Sequence, residues 1–226
     1  MRIKAVGFDV DGTLYPSYQM IFAALPSFIA APRLMYHFAK MRREIRRIVF
    51  DEEFHHMQAK LVAHRMAIDP KTAQRLIERR LYRRWESSFR FIRPFAGVRE
   101  TLLCLKNAGY PLAALSDFPL ADKLRYLGID DLFDAALSSE ETGYLKPHSV
   151  PFLHMARRLG QAPQEILYVG NSAEYDIEGA AGAGMKTAHF VKARDGGPGA
   201  DFVFSDFFAL RDWIFAGRED RGDREK

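Results

Sequence analysis

The stretch FDVDGTLYP (residues 8–16) places the carboxylates of Asp9 and Asp11 two positions apart at the end of an apolar run, just before a turn at Gly12. Along extended backbone that spacing directs both side chains to the same side. Carboxylates so close repel unless a cation or a shared proton relieves them. A hard divalent ion does so through oxygen ligands, and Mg²⁺ typically takes one or two carboxylates together with waters and a substrate phosphate. One acid can then act as nucleophile and the other as general acid and base. The structural alternative is a strand that ends in an Asp-Gly turn. An EF-hand loop is excluded, because the glycine is misplaced and the third acid is missing.

Three more clusters carry groups of matching chemistry. In LSDFP, Ser116 can offer a hydroxyl to a phosphate oxygen, or cap a helix opened by Pro119. In LKPHS, Lys146 precedes Pro147, which favours extended backbone and lets the ammonium project as a point charge; the alternative is an ordinary surface lysine. In YVGNSAEYDIEGA, Asn171, Ser172 and Asp176 lie on a turn and a helix's first turn. They serve either as helix caps and dipole partners or as ligands completing a metal site.

The elements that must position these groups alternate along the chain. Apolar runs at 3–10, 110–117, 135–139, 165–172, 186–191 and 201–204 predict strands, and amphipathic segments between them predict helices at 97–108, 119–128, 149–160, 173–184 and 205–215. Such alternation implies an α/β fold: a Rossmann-like, mostly parallel sheet with helices on both faces. Ligands of such sheets collect beyond the carboxyl ends of the strands, and all four clusters fall there. Residues 16–92 carry almost no strand signal and predict an inserted α-helical cap. The core then comprises 1–15 and 93–217, and 218–226 form a charged, loose tail.

Together the four segments resemble the haloacid dehalogenase superfamily: DVDGT its first motif, LSDFP its second, LKPHS its third and YVGNSAEYDIEGA its fourth. The resemblance spans residues 3 to about 215, and the helical insertion resembles the cap of one subclass. It implies a Mg²⁺-dependent phosphatase acting on a small phosphorylated substrate. Asp9 would be the nucleophile that forms an aspartyl-phosphate, and Asp11 the general acid and base. Thr13, Ser116, Asp117 and Lys146 would join Asp9 at the phosphoryl group. The metal would be held by Asp9, Asp11 through its main-chain carbonyl, Asn171 and Asp176. Asp11 favours a phosphate ester over a carbon–halogen bond, since the family's dehalogenases lack an acid at that position. Two departures stand out. Asn171 occupies the place of the usual metal-binding acid, and Asp117 that of the usual Asn. They leave open a catalytically weak member that binds phosphate or a protein partner. A phosphomutase, which also needs the second acid, is a further alternative.

Composition sets outer limits. The chain has 226 residues, 48% of them hydrophobic, enough for a sizeable core. No run reaches membrane-spanning length and no secretory signal is evident. The lone Cys104, expected in the core, excludes an intrachain disulfide and fits a reducing cytoplasm. His55, His56 and His64 match no zinc spacing, and no nucleic-acid module is recognisable. Charge is lopsided: residues 33–93 contain 16 Lys or Arg against 7 Asp or Glu. Arg42, Arg43, Arg46 and Arg47 are candidates for anion contact. The apolar stretch 20–31, interrupted by Pro26 and followed by basic residues, has the make-up of either a peripheral membrane surface or a helix packed on its neighbours or a second subunit.

Overall fold

The computed structural model describes residues 3–46, 48, 53–120, 122–192 and 199–222. Six strands, β1 (Ala5–Phe8), β2 (Leu112–Ser116), β3 (Ala135–Ser138), β4 (Ile166–Gly170), β5 (Lys186–Phe190) and β6 (Phe202–Phe204), form one sheet in the order β3-β2-β1-β4-β5-β6, with every pairing parallel. This is the doubly wound order, whose direction reverses between β1 and β4. The central strands are buried on both faces, so their sequences are continuous apolar runs.

Between β1 and β2 lie α1 (Ser17–Ala30), α2 (Pro32–Ile45), α3 (Phe54–Met66), α4 (Pro70–Ile77) and α5 (Arg83–Ser88), followed by α6 (Val98–Asn107). The remaining helices are α7 (Lys123–Tyr126), α8 (Ser149–Leu159), α9 (Gly179–Gly182) and α10 (Phe207–Gly222). One sheet face, including Val6, Phe8, Leu112 and Val169, packs on α6 and α10. The other, including Ala5, Leu115, Ile166 and Tyr168, packs on α8 and α9. A third core belongs to the helical segment, with Leu34, Phe38, Met41, Val62 and Ile77 at its centre. Leu145, from the loop beyond β3, inserts into that third core.

Several elements differ from expectation. Within the segment expected to be α-helical, α4 passes through a π-helical turn at Glu78–Tyr82 into α5. A second π turn, Ala173–Glu178, replaces the first half of the helix expected after β4. The helix expected over 119–128 shrinks to α7. Helix α1 continues through Pro26 despite the missing N–H, and α10 runs to Gly222, into the segment expected to be loose. Helix α6 buries Val98, Thr101, Leu102 and Leu105, which leaves Leu103 exposed and Cys104 half-buried, flanking the core rather than in it. The 3.6-residue period cannot turn four consecutive residues inward.

Leu145 is 2% exposed and ties the sheet's edge to the helical segment. Leu145→Ala is expected to cost about 2–5 kcal/mol, read as a lowered urea midpoint.

Candidate active site

Lys146 holds the centre of the site. Its ammonium lies 2.6 Å from Asp9 Oδ1, 2.6 Å from Asp176 Oδ1 and 3.3 Å from the Tyr168 hydroxyl. Asp9 follows β1, Tyr168 belongs to β4, Asp176 to the π turn after it, and Lys146 to the loop beyond β3. Burial opposes the lysine's charge, yet Asp176 and Asp9 keep its pKa well above the ordinary value. For Asp9 the balance is opposite. Burial and the Asp176 charge, helped by Asp11, outweigh Lys146 and push its pKa up to about 7. Gly170 makes this packing possible. A Cβ there would lie 2.3 Å from Asp176 Cβ, where Asp176 folds back so that its Oδ2 accepts the Asn171 and Ser172 N–H groups at 3.2 and 3.0 Å.

Asp11 has a separate set of partners. Lys123 Nζ donates to its Oδ1 at 2.7 Å, the Tyr15 hydroxyl donates to the same oxygen, and the Ser116 hydroxyl donates to Oδ2 at 2.7 Å. Burial alone would raise the Asp11 pKa, but Lys123, Ser116 and Tyr15 bring it below the usual value. The Ser116 oxygen also accepts the Phe118 N–H at 3.0 Å, so it closes the turn after β2; the next helix starts later, at Lys123. Ser172 does act as a cap, accepting the Tyr175 N–H at 3.1 Å.

Asn171 faces Asp9 across the Thr13 hydroxyl, which lies 2.7 Å from Asp9 Oδ2 and 3.2 Å from Asn171 Oδ1. The intervening Gly12 is required twice. Its φ is +99°, and a Cβ would sit 2.7 Å from Asn171 Nδ2. These oxygens suit a hard cation: a carboxylate whose pKa is raised by burial and by the neighbouring Asp176 charge, with a neutral amide oxygen beside it. Asp176, expected as a further ligand, has both oxygens engaged by Lys146 and main-chain N–H groups. Among the described residues no group of three or more His, Cys, Asp or Glu is placed to hold a metal.

The helical segment reaches the site through two arginines. Arg42, on α2, donates to Glu140 and to the Asp117 carbonyl, with its guanidinium 4.3 Å from the Phe118 ring centroid. Arg46, just past α2, pairs with Asp117 Oδ2 at 2.5 Å, donates to the Lys146 carbonyl and lies 4.2 Å from the Tyr175 ring centroid. Arg43 is exposed, and Arg47 lies outside the described residues. Asp117 Oδ1 also accepts the Lys146 N–H at 3.1 Å. Against the effect of burial, Lys146, Arg46 and Arg42 hold the Asp117 pKa below the usual range. Asp117, expected at the phosphate, is thus the anion that docks the arginines and fixes the Lys146 backbone.

A family model described as haloacid dehalogenase-like hydrolase matches residues 3–184. The chain belongs to the haloacid dehalogenase-like hydrolases. It is 32% identical over 208 residues to the glyceraldehyde 3-phosphate phosphatase of Methanopyrus kandleri, covering 85% of each chain. It is 28% identical over 227 residues to the phosphoglycolate phosphatase of Mannheimia succiniciproducens, covering 92% of this chain and 97% of the relative. The crystal structure of a 2-haloacid dehalogenase from Pseudomonas syringae superposes with a TM-score of 0.67 at 27% identity, covering 95% of this chain and 98% of that one.

Relative to the motifs of this hydrolase family, sequence reasoning missed Lys123, Tyr15 and Tyr168. Lys123 is 1% exposed despite its charge. The one available signal was a lysine soon after LSDFP in a short amphipathic stretch, which looks like any solvated helix face. Removing the cation while leaving Asp11 buried is strongly unfavourable. Lys123→Met should lose about 3–5 kcal/mol by chemical denaturation, and adding Asp11→Asn should recover part of that loss.

Asp117 gives a pH prediction. Its folded pKa lies below the ordinary 3.8, so its contribution is complete above that value and disappears as pH falls through the lowered one. Asp117→Asn, measured by thermal unfolding across the acid range, should therefore lose stability less steeply below about pH 4 than the native chain.

Proposed function

We propose that this hydrolase cleaves a small phosphate monoester through an aspartyl-phosphate on Asp9. The observation that carries the reading is the placement of Asp9. Its carboxylate is held by Lys146 and Thr13 at the switch point of the sheet, and a second acid, Asp11, stands at the end of the same strand. In the first step an Asp9 oxygen forms the new P–O bond as the ester P–O bond breaks, and Asp11 supplies the proton to the departing alcohol. In the second, water attacks phosphorus, Asp11 takes its proton, and phosphate leaves with Asp9 regenerated. Lys123, Ser116 and Tyr15 hold Asp11 as the carboxylate, the form that serves as base. Donation to the leaving group calls for a protonated Asp11 turned away from Lys123. Ser116 and Lys146 are the groups nearest to bind phosphoryl oxygens, and Asp176 acts through Lys146.

The cation we assign is Mg²⁺, held by Asp9, the Asp11 main-chain carbonyl and the Asn171 amide oxygen. When bound it supplies neutralisation of the transferring phosphoryl oxygens. The names of the relatives support a small phosphorylated substrate. Arg42 and Arg46, paired with Glu140 and Asp117, brace the loop that carries Lys146 rather than adding free positive charge. A second reading, phosphate binding with little turnover, is favoured by the neutral Asn171.

Phosphate release from a panel of phosphorylated sugars and hydroxy acids, in Mg²⁺ and in EDTA, separates these readings. The expected result is Mg²⁺-dependent release that falls by at least about 10³-fold in Asp9→Asn. Undiminished release in EDTA or in Asp9→Asn overturns the mechanism. An inert native chain that gains turnover on Asn171→Asp establishes the second reading instead.

A further inference from the structure

Away from the catalytic groups, α1 presents the surface least suited to water. It contains no charged residue, and Tyr18, Ile21, Phe22, Leu25, Phe28 and Ile29 are all exposed, Phe22 to 68% and Ile29 to 75%. Their spacing of three and four puts them on one stripe. Over 14 residues the stripe runs about 21 Å. Single exposed apolar residues need no explanation, but a contiguous patch marks an interaction surface.

The border of this stripe is basic. Arg84 donates to the Pro26 carbonyl at 3.4 Å and Lys192 Nζ lies 5.7 Å from the Tyr18 ring centroid, while the main-chain N–H of the exposed Arg93 donates to the Gln19 side chain. Next to Arg93, Phe91 is 75% exposed. Arg84 also lines a groove of about 460 Å³ with Thr72, Arg75, Leu76, Arg79 and Arg80, four guanidinium groups and no acid among the described lining residues. Through Arg84, the apolar stripe and the arginine groove adjoin.

We propose that this face docks on an anionic lipid bilayer, with α1 lying in the interfacial plane and the arginines against headgroup phosphates. Charge complementarity selects this occupant. A two-fold contact offers the patch only a second copy of itself, whose described groove lining brings four more guanidinium groups and no acid to pair with them. A bilayer containing anionic lipids offers the opposite arrangement, apolar depth beneath negative charge. The helix lies on the surface rather than crossing it. About 20 apolar residues are needed to span, and no helix among the described residues is long and apolar enough to do so. The proposal does not depend on the catalytic mechanism, because none of these residues belongs to the Lys146 or Asp11 clusters.

Vesicle flotation at low salt tests it, using phosphatidylglycerol–phosphatidylcholine vesicles against pure phosphatidylcholine. The native protein should float with the anionic vesicles alone, and added salt should weaken binding. Phe22→Ser with Ile29→Ser should abolish flotation. Arg75→Gln with Arg79→Gln should weaken it by about tenfold or more. All four side chains are solvent-facing, so both double variants should keep the native thermal midpoint, which checks that they fold. Absence of flotation by the native protein, or flotation unchanged in either double variant, overturns the proposal. So does a concentration-dependent dimer in sedimentation equilibrium that Phe22→Ser dissolves while vesicle binding is absent, which would assign the face to a second copy.

Discussion

A buried ammonium between two buried carboxylates is the constraint around which this molecule is arranged. Taking three ions out of water is expensive unless each finds close partners. Lys146, Asp9 and Asp176 are 3%, 4% and 2% exposed, and their contacts at 2.6 Å supply those partners. The three residues come from loops far apart in sequence, so only a fold that gathers several strand ends at one edge can assemble them. A parallel sheet with a switch point does this. The glycines are local consequences of the same requirement. Gly170 makes room for Asp176 to fold back, and Gly12 lets the chain turn under Asn171.

The loop that delivers Lys146 also joins the two parts of the structure. Leu145, its immediate neighbour, is buried in the core of the helical segment, and the Lys146 carbonyl accepts from Arg46 at the end of α2. Asp117 completes the link by accepting the Lys146 N–H while pairing with Arg46. Any movement of α2 relative to the sheet must therefore pull on the segment that positions the central cation. Packing in the helical segment and geometry at Asp9 are mechanically one system, with Asp117 as the joint.

Much of the fold was legible in the sequence because strands covered on both faces leave long apolar runs, as IKAVGFDV and EILYVG do. The site was legible to the extent that its groups sit next to strand ends, as Asp9, Ser116 and Asn171 do. What escaped were side chains that cross gaps between elements. Lys123 sits on a segment whose polar face looks like a solvated one, and Arg42 and Arg46 stood out only within a run of four candidate arginines, because helical period says which face is polar without saying what covers it. Leu103 and Cys104 show the same limit from the apolar side, since both lie beside a buried face that has no room for them. The two π turns carry no periodic signature in so few residues.

Charge pairing relates the two departures from the family pattern to each other. Asp11 has Lys123, Asp117 has Arg46 and Glu140 has Arg42, each a dedicated partner. Asp9 and Asp176 share one, Lys146. The cluster is therefore short of one positive charge, and burial together with the Asp176 charge raises the Asp9 pKa to about 7. An acid at 171 would deepen that imbalance beside Asp9, whereas the amide places an oxygen there without charge. The acid at 117 adds no burden, because the helical segment supplies its cation. A site with a neutral amide at one departure and an arginine-paired acid at the other holds the same local balance it would have with neither arginine nor acid at 117. Its remaining deficit lies between Asp9 and Asp176, the two carboxylates that share Lys146.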